Sequence, residues 1–153
     1  MWHHLGVIKY LLFDSFAFNL ARVATAATNA MARRLAPYDI TPVQWGVLAG
    51  LKEKDGVTPT ELMLDLERDL PSTLRVIWKL EKKGFVRREC NPADRRSYIV
   101  HLTPEGRALW ERLVPVVLQL NQDAYGHLDP AYVEQVKQTT LELRTIYDSM
   151  LKE

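Results

Sequence analysis

The feature that most constrains this sequence is a helix signal followed at once by two strand signals, all between Leu70 and Gly106. Pro71 is typical of the first turn of a helix, and Gly84 is typical of a helix end. Two short runs of alternating apolar residues follow, and the basic turn Asn91–Arg96 lies between them. A helix with a basic face followed by a basic turn has the shape to contact duplex DNA in two places.

Positive charge is concentrated in this same stretch. The 153-residue chain has a formal net charge of only +1, yet residues 71–101 contain eight Lys and Arg against three acidic residues. The rest of the chain contains twelve basic and sixteen acidic residues. This asymmetry predicts a localised surface for a polyanion, with the acidic remainder facing elsewhere.

A helical wheel gives the central helix a basic side and an apolar side. The basic side spans an arc of about 100° and comprises Ser72, Arg75, Lys79, Lys82 and Lys83. Leu74, Ile77 and Trp78 lie opposite, and Trp78 is predicted to be a core residue. Arg75 and Lys79 could donate to guanine in a major groove. Taken alone, the pattern favours a solvated amphipathic helix. Val76 could contact a thymine methyl group or merely be exposed.

The basic turn favours the DNA-binding interpretation. Arg95 and Arg96 could enter a narrow minor groove, where the negative potential is strongest. Asp94 is expected to orient one of these arginines through a charge-assisted hydrogen bond. The alternative, a solvated turn, is weaker beside a basic helix.

The remaining sequence predicts a mainly helical chain. An alanine-rich segment without proline predicts one long helix over residues 6–35. A capping residue followed by proline then marks four further helix starts, namely Thr41-Pro42, Thr58-Pro59, Thr103-Pro104 and Asp129-Pro130. Three short helices joined by tight turns make a helix-turn-helix plausible. Pro115 is expected to kink the helix that contains it or to remove a hydrogen bond from it.

These residues resemble a known family. The similarity is to the winged helix of the MarR family of bacterial transcriptional regulators, and it rests on Leu80-Glu81-Lys82-Lys83-Gly84, Asn91-Pro92, Asp94-x-Arg96, Leu102-Thr103-x-x-Gly106 and, upstream, Thr41-Pro42-Val43-Gln44-Trp45. The order of helices agrees over nearly the whole chain, and the motifs are most specific over residues 41–106.

The resemblance implies a fold that is mainly α with a small β-wing, a winged helix-turn-helix held between dimerisation helices. It divides the chain into an N-terminal dimerisation helix at 1–36, a DNA-binding domain at 37–106 and C-terminal dimerisation helices at 107–153. The implied partners are a second copy of the chain and double-stranded DNA. The implied function is a cytoplasmic regulator, a repressor, with one winged helix on each half-site of a near-palindromic operator.

Family roles transfer to particular residues by the same resemblance: Arg75 and Lys79 would read the major groove, and Arg96 would enter the minor groove. The full set of predicted DNA contacts is Ser72, Thr73, Arg75, Val76, Lys79, Arg88, Asp94, Arg95 and Arg96. This chain departs from many members at Leu74, where they have Thr, and at Trp78, where they have Asp. Base preference therefore does not transfer.

A small aromatic acid is the effector that the resemblance implies, bound between the dimerisation helices and the winged helix. The candidate lining residues are Trp2, Tyr10, Phe13, Phe16, Arg22 and Trp45, with Arg22 placed to meet a carboxylate. The alternative for Phe13 and Phe16 is a place in the dimer core.

Other function classes are less well supported. Cys90, near Arg87 and Arg88, leaves open a redox-sensing regulator, although a lone strand cysteine is more often a packing residue. A winged-helix module that binds protein instead of DNA is also open. The four scattered histidines predict no metal, no catalytic or cofactor motif is present, and no stretch of about 20 apolar residues predicts a membrane span.

Overall fold

The computed structural model describes residues 15–66, 68–94 and 96–151. Its elements in chain order are α1 (Phe16–Leu35), a 3₁₀ turn (Ala36–Tyr38), α2 (Pro42–Glu53), α3 (Pro59–Asp65), α4 (Leu70–Lys82), β1 (Val86–Cys90), β2 (Tyr98–Leu102), α5 (Pro104–Tyr125) and α6 (Pro130–Met150). The predicted fold class, mainly helical with a small β-wing, is confirmed.

The four helix starts predicted from a capping residue followed by proline are confirmed, and each has a capping side chain. Thr41 and Gln44 form a reciprocal capping box at α2, and Thr58 and Glu61 form a second at α3. The Asp69 side chain accepts the Ser72 N–H at 2.8 Å and starts α4. These caps stabilise short helices whose first N–H groups would otherwise lack acceptors.

The prediction of one helix over residues 6–35 is wrong at its start. Ser15 has extended backbone angles, and its hydroxyl accepts the Phe18 N–H, so α1 begins at Phe16. A serine in this position satisfies one of the free N–H groups of the first turn and so marks a helix boundary. Residues 1–14 lie outside the described residues.

The two strands form an antiparallel wing whose register pairs Val86 with Leu102 and Cys90 with Tyr98. Val57 adds a single bridge to Val100 on the other edge of β2. Gly106 is buried where α5 leaves the wing, and a Cβ there would lie 2.0 Å from the Phe85 carbonyl oxygen. Only glycine allows this close approach of helix and wing.

The chain divides into two compact units, one ending at Val116 and one beginning at Val117. The first unit contains the apolar core, which comes from the end of α1, from α2 to α5, from the wing and from the connecting residues Ile40 and Val57. Its completely buried side chains include Leu48, Leu51, Leu62, Ile77, Leu80, Val100 and Leu113. This core fixes the position of α4 against the wing.

The second unit contains the end of α5 and all of α6, and no residue of α6 is buried. Its exposed large apolar side chains are Leu118, Tyr125, Leu128, Tyr132, Val136, Leu141, Ile146, Tyr147, Met150 and Leu151. Pro115 lies inside α5 without dividing it, and its missing N–H removes one helix hydrogen bond. Within the described ranges, no helix has both the length and the apolar character needed to cross a bilayer.

Glu61 makes fold stability depend on pH. Hydrogen bonds from Lys54 and Thr58, each 2.7 Å long, lower the pKa of Glu61 to about 2. Because the folded pKa lies below the unfolded value, the ionised Glu61 stabilises the fold above about pH 4.5, and this contribution is lost as the pH falls towards 2.

We therefore expect Glu61→Gln to lower the free energy of unfolding at pH 7 by about 0.5–1 kcal/mol, a modest loss because the 42% exposed side chain is screened by solvent. The difference from wild type should shrink between pH 4.5 and 2, measured by urea unfolding at fixed protein concentration. Glu53→Gln, at the exposed end of α2, is the control. An unchanged difference at pH 7 and pH 2.5 would contradict the assignment.

Candidate nucleic-acid interface

The outer side of α4 presents a linked polar group. Arg75 and Lys79 are exposed, and the Arg75 Nη2 donates to the Ser72 Oγ at 2.9 Å. Hydrogen bonds from Ser72 to Asp69 lower the pKa of that carboxyl, which keeps the cap ionised. Ser72, Arg75 and Lys79 are thus on the outer side of α4, as the helical wheel predicted.

Thr73 does not belong to this surface. It is completely buried, and its hydroxyl donates to the Asp69 carbonyl oxygen at 3.0 Å. The predicted DNA contact by the Thr73 side chain is therefore corrected, because its only hydrogen-bonding group faces the core and bonds within the helix. Val76 is half-buried at the edge of the surface.

Trp78 and Leu74 were placed on the apolar side of the wheel, but both side chains are exposed. Trp78 is 48% exposed and Leu74 is 36% exposed, whereas Ile77 is buried. The Lys82 ammonium lies over the Trp78 ring, 4.0 Å from its centroid. The prediction that Trp78 is a core residue is wrong because Thr73, Ile77 and Leu80 are the α4 side chains turned inwards.

Arg88 ties the wing to α4. Its guanidinium lies 2.5 Å from one Glu81 carboxylate oxygen and donates to the other at 3.0 Å, and it lies over the Tyr98 ring. The hydrogen bond to Glu81 raises the pKa of Arg88. Since this two-point ion pair joins the end of α4 to β1, it fixes the wing relative to the helix.

A second ion pair extends along the strands. Arg87 lies 2.5 Å from Glu89, which lowers the pKa of the Glu89 carboxyl. His101, on β2 opposite Arg87, lies between Glu89 and Asp55 at 3.7 and 3.5 Å. These contacts join the wing to the turn that precedes α3.

The wing turn is shaped by Asp94. Its carboxylate accepts the Arg96 backbone N–H at 3.0 Å, and its carbonyl accepts the Ser97 N–H at 2.9 Å. The expected hydrogen bond to an arginine guanidinium is thus replaced, at Arg96, by a bond to the backbone. The Arg96 side chain is exposed, and Arg95 lies outside the described residues.

Cys90 is exposed at the end of β1, beside this turn. Among the described residues no group of three His, Cys, Asp or Glu side chains is arranged to bind a metal ion.

Of the predicted effector residues, the three that the structure describes have different surroundings. Trp2, Tyr10 and Phe13 lie outside the described residues, and Phe16 is 58% exposed. Arg22 lines a shallow groove formed by α1 side chains alone. Trp45 instead stacks on Trp110 with ring centroids 6.2 Å apart and planes 8° apart, and Lys52 lies over Trp110.

A different cleft, of about 510 Å³, lies where the turn after α1, the residue before β1 and the start of α5 meet. Its lining residues are Pro37, Tyr38, Asp39, Phe85, Glu105, Ala108, Leu109 and Arg112. The Arg112 guanidinium carbon lies 5.6 Å from the centroid of the Tyr38 ring, and Asp39 pairs with Lys83 at 2.8 Å. Sequence patterns missed this cleft because its residues come from three separate segments.

The sequence is similar to a known protein family and to two of the relatives compared with it. Residues 40–98 match the family model described as MarR family. The chain is 31% identical over 115 residues to a putative transcriptional regulatory protein for the hcr operon of Thauera aromatica, covering 74% of this chain and 69% of that protein. It is 39% identical over 95 residues to the multiple antibiotic resistance protein MarR of Escherichia coli, covering 61% and 66% of the two chains.

Solved structures agree in fold. A mutant of Escherichia coli MarR complexed with operator DNA superposes with a TM-score of 0.79 at 26% identity, covering 94% of this chain and 99% of the other. Bordetella bronchiseptica BpsR, whose DNA binding is regulated by 6-hydroxynicotinic acid, superposes with a TM-score of 0.75 at 29% identity, covering 88% and 94%.

Proposed function

Because this chain belongs to the MarR family, whose members are DNA-binding transcriptional regulators, we propose that it is a homodimeric repressor of a near-palindromic operator. The observation that carries this proposal is the group on the outer side of α4, in which Arg75 and Lys79 are exposed and Arg75 donates to the half-buried Ser72. The helix that carries this group is joined to a basic wing through Glu81 and Arg88.

The contacts divide between two grooves. An α-helix fits the major groove, where Arg75 and Lys79 would donate to base edges and Ser72 would donate to a phosphate. Arg96, and Arg95 beside it, would enter the minor groove next to the α4 contact. The superposition with a relative bound to operator DNA supports this orientation.

Two predicted contact residues take supporting roles in the proposal. Arg88 has its guanidinium engaged by Glu81, so it would hold the wing at a fixed distance from α4 instead of binding phosphate. Asp94 has its carboxylate on the Arg96 backbone N–H, so it would shape the turn that carries Arg96. Both roles place the two groove contacts at a defined separation.

Apolar surface supports the homodimer. On α6, Val136, Leu141 and Ile146 are each about half-exposed, and on α1 Val23 is 64% exposed. Large apolar side chains left exposed on a helix are costly in water and support an interaction site there. We propose that the segments 1–36 and 107–153 form the dimer around the DNA-binding domain 37–106, since twofold symmetry would match two half-sites.

The cleft around Tyr38 and Arg112 supports an aromatic acid as effector. Arg112 would bind the carboxylate, and Tyr38 and Phe85 would contact the ring. Phe85 is the residue that joins α4 to the wing, with its N–H donating to Leu80. A ligand there would therefore alter the wing's position and release DNA.

We expect Arg96→Ala and Arg75→Ala each to weaken binding to a palindromic duplex by about 1–3 kcal/mol, and Arg75→Ala also to relax base preference. Wild-type affinity should fall steeply with salt through counterion release. Fluorescence anisotropy over a salt series measures both effects, and Lys137→Ala on α6 removes one cation outside the proposed contact residues as control. A protein-binding module without DNA binding would show neither the affinity nor the salt dependence.

The dimer has a separate test. Sedimentation should give twice the 17.6 kDa chain mass, and Ile146→Asp should shift the equilibrium towards monomer, because a carboxylate in an apolar interface loses its hydration. Gln135→Asp, at an exposed polar position of the same helix, should leave the mass unchanged. A wild-type chain that sediments as a stable monomer would refute the homodimer.

The effector site is tested on the protein–DNA complex with 6-hydroxynicotinate and hydroxybenzoates as probes. An active compound should need about tenfold or more higher concentration to release DNA from Arg112→Met, which loses a charged hydrogen bond. Arg22→Met and Trp45→Ala test the sequence-derived site. If those two variants lose the response and Arg112→Met keeps it, the cleft assignment is wrong; if no probe releases DNA, the effector class is wrong.

A further inference from the structure

Trp78 lies close to the outward axis of α4. The three buried side chains Thr73, Ile77 and Leu80 are centred at about 105° from Ser72 on a wheel of 100° per residue, so the outward direction is at about 285°. Trp78, at about 240°, is then roughly as near to that axis as Lys79, at about 340°. The exposed fraction of Trp78, 48%, agrees with this placement.

The surroundings of Trp78 are positively charged. The Lys82 ammonium lies 4.0 Å from the ring centroid, which is a cation–π contact. Arg75 projects from the same outward side of α4. Leu74, one helical turn before Trp78, is 36% exposed. Leu74 and Trp78 thus form a short apolar strip on α4.

The charge and shape of the surface around Leu74 and Trp78 favour one kind of binding partner. An apolar protein helix laid against this surface would have to neutralise Arg75, Lys79 and Lys82, because burying unpaired cations is costly. The major groove of DNA offers phosphates at its rim and an apolar group in its floor, since thymine projects its C5-methyl group there. A polyanion with isolated methyl groups complements a cationic face that carries an indole.

We propose that Trp78, supported by Leu74, determines sequence specificity by contacting thymine methyl groups in the major groove of each half-site. The inference rests on the proposed DNA-binding function and deepens it, because it names the base group that this helix prefers. Arg75 and Lys79 supply hydrogen bonds to neighbouring base edges, and Trp78 adds selection for thymine beside them.

The experiment uses a duplex that full-length wild type selects from a random-sequence library. Each thymine is replaced in turn by deoxyuridine, which removes only the methyl group. We expect one or two positions per half-site where wild type loses about threefold to tenfold in affinity, the effect of withdrawing one buried methyl group from apolar contact. Trp78→Ala should bind more weakly and be insensitive at those positions.

Lys82→Met is the matched control, because it should lower the salt dependence while keeping the pattern of thymine sensitivity. Trp78→Phe should keep part of that pattern, and circular dichroism and sedimentation establish that each variant is folded and unchanged in mass. Wild-type insensitivity to every deoxyuridine, or a pattern that persists in Trp78→Ala, would overturn the proposal. So would a change of mass in Trp78→Ala, which would place Trp78 in a protein interface. Selection of no duplex at all by wild type would instead refute the proposed function.

Discussion

The burial of one side of α4 determines which of its side chains face solvent and where the wing lies. Ile77 and Leu80 are within 1% of complete burial, and Thr73 joins them by donating its hydroxyl to the helix backbone. Two such aliphatic side chains contribute on the order of 1.5–3 kcal/mol each relative to exposure. A rotation of α4 would withdraw them from the core, so the outward direction of every other side chain on the helix is fixed.

The wing depends on that fixed helix. Arg88 on β1 reaches back to Glu81 in the last turn of α4, while Gly106 lets α5 approach the Phe85 carbonyl closely. The wing is therefore held from two sides, by an ion pair at its first strand and by close backbone packing where α5 begins. A short basic turn on such a support can present Arg96 at a defined distance from Arg75.

The same junction links recognition to the cleft proposed for the effector. Phe85 donates its N–H to Leu80 and accepts the Thr103 N–H, and its side chain lines the cleft with Tyr38 and Arg112. A ligand that pushes against Phe85 acts on the residue between the basic helix and the first strand. Ligand binding and DNA binding could therefore be coupled over a short distance, because Phe85 belongs both to the cleft and to the junction between α4 and the wing.

The sequence alone determined the order of elements and the family. Local signals suffice for this, since a capping side chain followed by proline, as at Thr41 and Thr58, starts a helix wherever it occurs. Ser15, which caps the start of α1, was not predicted as a helix boundary because a single serine beside an alanine-rich run is a weak signal. The basic side of α4 also followed from local spacing.

Only the tertiary structure decided which way side chains face and which distant segments meet. The wheel gave angles between residues but no origin, so Trp78 was predicted to lie in the core, and Thr73 was separately predicted to contact DNA. The core supplied the origin through Ile77 and Leu80, and both assignments reversed. The Tyr38–Arg112 cleft and the Glu81–Arg88 ion pair likewise join residues whose meeting depends on long-range packing, which no local pattern encodes.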